Sequence, residues 1–285
     1  MDSYILIDGS YFVFYRVFAL LVWWKNAKPE IELVEPFKNE EFVAKFRSTF
    51  IGKIKEIIKN LDIKNVKKII IGKDCPQSQI WRMPLHNKYK SGRNQTKNKE
   101  SNIADFFKLT YAENLFIQAG ADYIFEYNSL EADDCIALTT KYLLQKYKNN
   151  DVDENNIIKN KIEIYIITSD QDYLQLACNE VKLYNLKYKL LTDSKNCKND
   201  PQKDLFFKIV GGDKSDNISA IFKKCGPKTI EKCYDDKEFF HNKLEKEKED
   251  GSFEKYELNK LLVDFNNIPT HLCEGFMNDI LSNKI

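Results

Sequence analysis

Hydrophobic positions in this chain fall into two kinds of run. The first is short and nearly continuous: Tyr4-Ile5-Leu6-Ile7, Ile69-Ile70-Ile71 and Ile164-Tyr165-Ile166-Ile167. Such runs, rich in β-branched side chains and bounded by polar residues, read as buried strands. They predict strands over Asp2–Asp8, Lys67–Gly72 and Lys161–Thr168, with shorter ones at Tyr123–Tyr127 and Val181–Asn185. The second kind is periodic: Phe42, Phe46, Phe50, Ile54 and Ile58 repeat every four residues and predict a helix over Phe42–Leu61. Ala104–Gln118 and Ala132–Leu144 also read as helices, and an aromatic-rich stretch, Tyr11–Trp24, follows the first strand. Strand, helix, strand in that order favours a parallel α/β sheet. In the apolar setting of Tyr11–Trp24, Trp23 and Trp24 are expected to pack in the core.

The polar segments divide the chain. Lys148–Asn160 reads as a surface loop, and Ser194–Gln202, which contains Pro201, as a boundary. This gives an α/β domain over 1–200 and a smaller helical domain over 201–285. Charge-dense Lys237–Asp250 reads as solvated surface.

Composition adds limits. A chain of 285 residues, 43% of them hydrophobic, can bury one large core or one domain with an appendage. No apolar run reaches the length of a membrane span, and Met1-Asp2-Ser3 lacks the basic start of a signal peptide. The seven cysteines are odd in number and include no CxxC pair. They read as reduced thiols of an intracellular protein, cytoplasmic or nuclear, with viral or phage origin open. The net charge of +1 conceals segregation, because Pro76–Lys99 contains no acid at all.

The acids gather where a parallel sheet opens its ligand crevice, at the carboxyl ends of strands. Asp8 closes the first strand and Asp74 lies just past the second. Asp170 and Asp172 follow the third, and Glu131, Asp133 and Asp134 open a helix. Ser129 is the expected N-cap of that helix, and Ser169 of the turn after Thr168. Acids in a first helical turn are also favoured by the helix dipole alone, so neither cluster is diagnostic by itself. Converging together, these carboxylates would raise one another's pKa unless cations neutralised them. Hard oxygen donors suit Mg²⁺ or Mn²⁺, and the chemistry suggested is two-metal phosphoryl transfer.

The sequence resembles the flap endonuclease and 5′-nuclease family, its bacteriophage and bacterial-polymerase-associated branch in particular. The resemblance rests on Ile7-Asp8-Gly9-Ser10, Ile80-Trp81-Arg82 with Tyr89-Lys90-Ser91-Gly92-Arg93, and Glu131-Ala132-Asp133-Asp134. It continues through Thr168-Ser169-Asp170-Gln171-Asp172, Gly211 to Ile218, Gly226-Pro227-Lys228-Thr229 and the Leu258–Pro269 helix. The resemblance implies a PIN-like domain with a helical arch over about 77–110 and a C-terminal helix-hairpin-helix module. Asp8, Asp74, Glu131, Asp133 and Asp134 would surround a first Mg²⁺. Asp170, Asp172 and Asp213 would hold a second, with Asp216 nearby; Mn²⁺ would substitute. The implied reaction is phosphodiester hydrolysis from the 5′ side, one ion activating water and the other steadying the leaving 3′ oxygen. Asn at position 134 or 172 is then expected to abolish activity while leaving the fold intact. The implied substrate is DNA with a 5′ flap, a nick or a single- to double-strand junction, RNA–DNA hybrid being a further option. The chain is expected to act as a monomer away from membranes.

Arg82, Lys88, Lys90, Arg93, Lys97 and Lys99, interleaved with Trp81 and Tyr89, read as an electrostatic funnel for single strands. By resemblance, Lys90 and Arg93 would reach the scissile phosphate and Tyr89 would stack on a terminal base. Gly226, Lys228 and Thr229 would grip the duplex at a helix N-terminus. The family's hairpin K⁺ site does not carry over directly, because Lys224 stands where its first glycine is expected and Ser219–Lys224 is lengthened. The family's acid near Asp74 falls instead at the position of Lys73. Two other readings remain: a junction-binding module without turnover, and an RNA-directed nuclease of PIN type.

Overall fold

The computed structural model describes residues 1–91, 97–150 and 161–285, with the side chains of 92–102 and 149–160 outside the description. Five strands, β1 (Asp2–Asp8), β2 (Val66–Gly72), β3 (Tyr123–Phe125), β4 (Ile162–Ile167) and β5 (Val181–Tyr184), form one sheet. Its order is β3-β2-β1-β4-β5 and every pairing is parallel. Ile5 of β1 lies between Ile69 of β2 and Tyr165 of β4. From β1 the chain builds outward to β2 and β3, then crosses back to β4, so a topological switch point lies between β1 and β4.

Alternation along the strands feeds two cores. Ile5, Ile7, Ile69, Ile71, Tyr165 and Ile167 face one side; Tyr4, Leu6, Ile70, Ile164 and Ile166 face the other. On the first side pack α1 (Gly9–Ala27), α2 (Glu40–Asn60), α3 (Lys97–Ala112) and the short α4 (Leu115–Gln118). Phenylalanines dominate there: the Phe12–Phe50 and Phe46–Phe106 ring centroids are each 4.8 Å apart. Fully burying each such ring contributes about 1.5–3 kcal/mol. The second side is covered by α5 (Ala132–Asn150), by Tyr173 and by the C-terminal residues Phe265, Ile268, Phe276 and Leu281.

Where local signals competed, the structure departs from the pattern. The helix expected over Ala104–Gln118 is two helices, broken at Asn114, which adopts a left-handed conformation at φ 53°. Asn tolerates that region better than most residues. Ser129 does not cap α5: it has φ 68°, and its carbonyl accepts from the Trp81 amide at 3.1 Å. Nor does Ser169 cap the 3₁₀ segment Gln171–Leu176; Asp170 does. Trp24 is buried as expected, whereas Trp23 is 40% exposed with Lys45 over its ring. Of the expected loop Lys148–Asn160, residues 148–150 complete α5, and 151–160 lie outside the described residues.

After Asp200, whose side chain caps it, come α6 (Pro201–Gly211), α7 (Pro227–Asp235), α8 (Lys237–Lys246), α9 (Ser252–Val263) and α10 (Thr270–Phe276). Leu205, Ile209, Ile218, Leu262 and Val263 join Cys75, Ile80 and Tyr89 in a small core of their own. That core fastens the helices to the root of the basic stretch. No helix among the described residues is long and apolar enough to cross a membrane.

Candidate metal centre and nucleic-acid interface

The carboxyl ends of β1, β2 and β4 supply the floor of the site. Asp8 ends β1 and caps α1, its Oδ1 accepting from the Tyr11 amide at 2.9 Å. Its other oxygen accepts from Thr168 Oγ1, just past β4, at 3.2 Å. Asp74 accepts from Ser10 Oγ at 2.6 Å and from the Ala132 amide at 2.9 Å, tying α1, the end of β2 and the start of α5 together. Two glycines permit this approach. A Cβ on Gly9 would lie 2.6 Å from the Gly72 carbonyl oxygen, and one on Gly72 would lie 2.7 Å from that of Ala132.

Two acidic clusters rise from this floor. Glu131, Asp133 and Asp134 form the first, and Asp172, Asp213 and Asp216 the second. In each, one carboxylate oxygen per residue lies within 4.8 Å of the others. A donor set made wholly of carboxylate oxygens fits a hard divalent cation. Asp213 accepts from the Ser215 amide and hydroxyl at 2.7 and 2.6 Å, while Gly212 supplies a φ of 70° beneath the same turn. Lys90 and Asn217 stitch the clusters together: the Lys90 amide donates to the Asp216 carbonyl at 3.1 Å, and Asn217 Nδ2 to the Lys88 carbonyl at 3.0 Å.

Cations from the chain sit among the acids. Arg82, 1% exposed, donates twice to Asp134 at 2.7 Å, to Glu131 at 2.9 Å and to the Leu262 carbonyl at 2.8 Å. Trp81 Nε1 adds a bond to Asp134 at 3.0 Å. Lys90 pairs with Glu131 and lies 3.8 Å from Asp216. Lys208 bridges Asp172, at 2.5 Å, and Asp213.

These charges do not balance, and protonation shows where. Burial, reinforced by Asp74 and Asp170, pushes Asp8 up to about 7. Burial and Asp170 likewise push Asp172 to about 7, against the pull of Lys208. Burial beside Glu131 and Asp134 drives Asp133 well above the usual carboxylate range. Burial opposes ionisation of Glu131 and Asp213 too, yet Lys90 and Arg82 hold Glu131 low, and Lys208 with Ser215 holds Asp213 at about 2. Lys90 stays charged, its pKa raised well above normal because Glu131 outweighs the cost of burial. Three carboxylates thus resist ionising until further positive charge arrives, as expected of a metal centre.

The structure redistributes several expected roles. Asp216 closes the second cluster instead of standing beside it, and Asp170 caps the segment that carries Asp172. Asp134 is fully buried with both oxygens engaged by Arg82, so it anchors the first cluster more than it offers a free donor. Arg82 and Tyr89 are not on a face that DNA can reach. Both are buried, and the Tyr89 hydroxyl donates to Glu131 at 3.0 Å. Arg93 lies outside the described residues, as does the side chain of Lys97. Gly226 caps α7 and is exposed together with Lys228, while Thr229 is half-buried. Lys208 escaped the sequence reading, where its signal was a lysine in the last helical turn before Gly212-Asp213, and Ser10 and Thr168 entered it only as members of motifs, without a role.

Fold and site together define an α/β protein with a carboxylate-lined crevice at its switch point, whose oxygen donors fit divalent cations. Residues 3–202 match the family described as "5′-3′ exonuclease, N-terminal resolvase-like domain", and the chain belongs to that family. It is 29% identical over 228 residues to a 5′-3′ exonuclease of Mycoplasmopsis pulmonis, covering 77% of this chain but only 62% of that protein. It is 24% identical over 265 residues to the ribonuclease H of Enterobacteria phage T4, covering 88% and 81% of the two chains. Among solved structures, the T5 5′-exonuclease with bound zinc aligns at TM-score 0.64 and 16% identity over 99% of both chains. A bacteriophage T5 flap endonuclease complex with DNA and metal ions aligns at 0.63 and 16%, over 99% and 98%. At those identities the likeness is one of fold.

Proposed function

We propose that this protein is a Mg²⁺-dependent, structure-specific 5′ nuclease acting on DNA with a 5′ flap, a nick or a single- to double-strand junction. The observation that carries the reading is the pair of acidic clusters at the switch point, in which one carboxyl of each, Asp133 and Asp172, together with Asp8 on the floor between strands, resists ionisation without added positive charge. Asp133, beside Glu131 and Asp134, on one side, and Asp172, Asp213 and Asp216 on the other would hold the divalent ions, which would supply Lewis acidity toward water and the leaving 3′ oxygen. The chain's own groups do the rest. Arg82 fixes Asp134 and Glu131 from below. Lys90, kept protonated beside Glu131, offers a fixed positive charge for a phosphate at the crevice mouth. Lys208 orients Asp172 and Asp213. The exposed α7 terminus at Gly226–Lys228 offers backbone amides and a lysine to the duplex backbone. A DNA substrate is supported by the T5 complex, and the T4 relative's name supports an RNA–DNA hybrid as a second substrate. The hairpin K⁺ site is not part of the proposal.

The test is cleavage of end-labelled 5′-flapped DNA, nicked duplex and RNA–DNA hybrid, with Mg²⁺ or with chelator. Short 5′ products from the flap in Mg²⁺, and none in chelator, are expected. Junction binding without product at any metal concentration would replace the enzyme with a binding module.

A further inference from the structure

Lys90 stands at the root of the basic stretch in a backbone conformation that lysine seldom adopts, with φ 53°. Such strain persists only where the surroundings impose it. Here both acidic clusters do so. On the side of the first, the neighbouring Tyr89 is buried and its hydroxyl donates to Glu131 at 3.0 Å. On the side of the second, Asp216 and Asn217 grip the turn. The Lys90 amide donates to the Asp216 carbonyl at 3.1 Å, and His86 Nε2 to the Asn217 carbonyl at 3.0 Å. Asn217 Nδ2 donates to the Lys88 carbonyl at 3.0 Å and to Ser91 Oγ at 2.9 Å. A primary amide has no further proton to give, so this side chain spends its donors on the turn and none on a carboxylate. It holds the chain both before and after Lys90. Asn217 itself has φ 59°, a region that Asn tolerates better than most residues. So placed, the Lys90 ammonium pairs with Glu131 and lies 3.8 Å from Asp216.

We infer that Asn217 is a positioning residue for Lys90: its side-chain amide locks residues 88–91 to the second acidic cluster, so that the ammonium stands between both clusters. The inference rests on the nuclease reading above, in which Lys90 meets a substrate phosphate at the crevice mouth. A displacement of about 1 Å at a reacting centre can cost about 100-fold in rate. Loss of the amide should therefore slow the reaction, and do so through Lys90.

The experiment uses Asn217→Gly, which removes the amide and leaves a backbone free to keep its positive φ. It is compared with the parental protein, Lys90→Ala and the double variant. Cleavage of 5′-flapped DNA is followed in Mg²⁺, and amide hydrogen exchange is followed without DNA. In Asn217→Gly, exchange is expected to quicken at the Lys90 and Ser91 amides and to stay unchanged along β1, β2 and β4. Its kcat should fall by up to about 100-fold with KM little changed. In the Lys90→Ala background the same substitution should cost nothing further, whereas independent effects would multiply. Multiplied losses would overturn the inference, as would unaltered exchange at Lys90 and Ser91. Faster exchange throughout the sheet would overturn it too, by showing that Asn217 holds the fold and not the turn. If the parental protein cuts no flap, the nuclease reading fails and the catalytic part of Asn217 goes with it; its hold on the turn is still decided by exchange.

Discussion

Asp134 and Asp172 belong to the same crevice, but their surroundings predict opposite answers to one substitution. Asp134 is fully buried and accepts twice from an equally buried Arg82. Removing one partner of a buried pair strands the other charge, at a cost of about 3–5 kcal/mol. Asp134→Asn should therefore lower the urea midpoint markedly, against the sequence-based expectation that it leaves the fold intact. Asp172 stands differently. Its carboxyl already favours the neutral form, and Lys208 keeps Asp213 as a partner when Asp172 is replaced. Asp172→Asn should abolish flap cleavage while staying within about 1 kcal/mol of the parental stability. Equal urea midpoints for the two variants would remove the distinction drawn between anchor and ligand.

At the scale of elements, the site exists because α5 starts directly over the end of β2. Gly72 allows it: an added Cβ would meet the Ala132 carbonyl at 2.7 Å and Ile136 Cδ1 at 2.9 Å. A backbone carbonyl cannot swing aside as a side chain can, so Gly72→Ala must lift the first turn of α5 and with it Glu131, Asp133 and Asp134. A loss of about 1–3 kcal/mol is expected from overpacking, together with weaker Mn²⁺ binding. Gly52→Ala is the control. Its Cβ would meet nothing within 4 Å on the exposed face of α2, and the change should stabilise by up to about 1 kcal/mol. Matching behaviour in melting and Mn²⁺ titration would rule out the close approach as the cause. Strands and acids of this arrangement were legible in the sequence because buried parallel strands print continuous apolar runs and their carboxyl ends print Asp8, Asp170 and Asp172. The direction of Arg82 and Tyr89 was not. An acid-free, basic stretch reads as a face open to a polyanion, and only the fold brings Glu131 and Asp134 over Arg82 from about fifty residues away. The break at Asn114 was hidden for a related reason: one left-handed residue ends a helix without disturbing the apolar period on either side.

For the molecule as a whole, the cost of gathering these acids should appear as a pH dependence of stability that divalent ions remove. Asp8 and Asp172 each rise from 3.8 to about 7 on folding. Asp8 faces Asp74 and Asp170; Asp172 faces Asp170 and Asp213, with Lys208 opposing. A carboxyl whose pKa is higher folded than unfolded binds more proton in the folded state. Its contribution is therefore fully present below pH 3.8 and is lost as pH rises through about 7. Glu131 and Asp213 run the other way, but their lowered values confine their effect to pH below about 4.5, outside that upper range. Between pH 5 and 8 the raised pair, with Asp133 raised in the same direction beside Glu131 and Asp134, sets the sign contributed by the centre. A divalent ion binding the ionised form competes with those protons, so its stabilisation of the fold should grow with pH across the same interval. The melting temperature in Mg²⁺ minus that in chelator, measured in steps from pH 5 to 8, should widen as pH rises through about 7. A difference that stays constant across the interval would mean that Asp8 and Asp172 are already ionised without metal, and that the crevice is neutralised by Arg82, Lys90 and Lys208 alone.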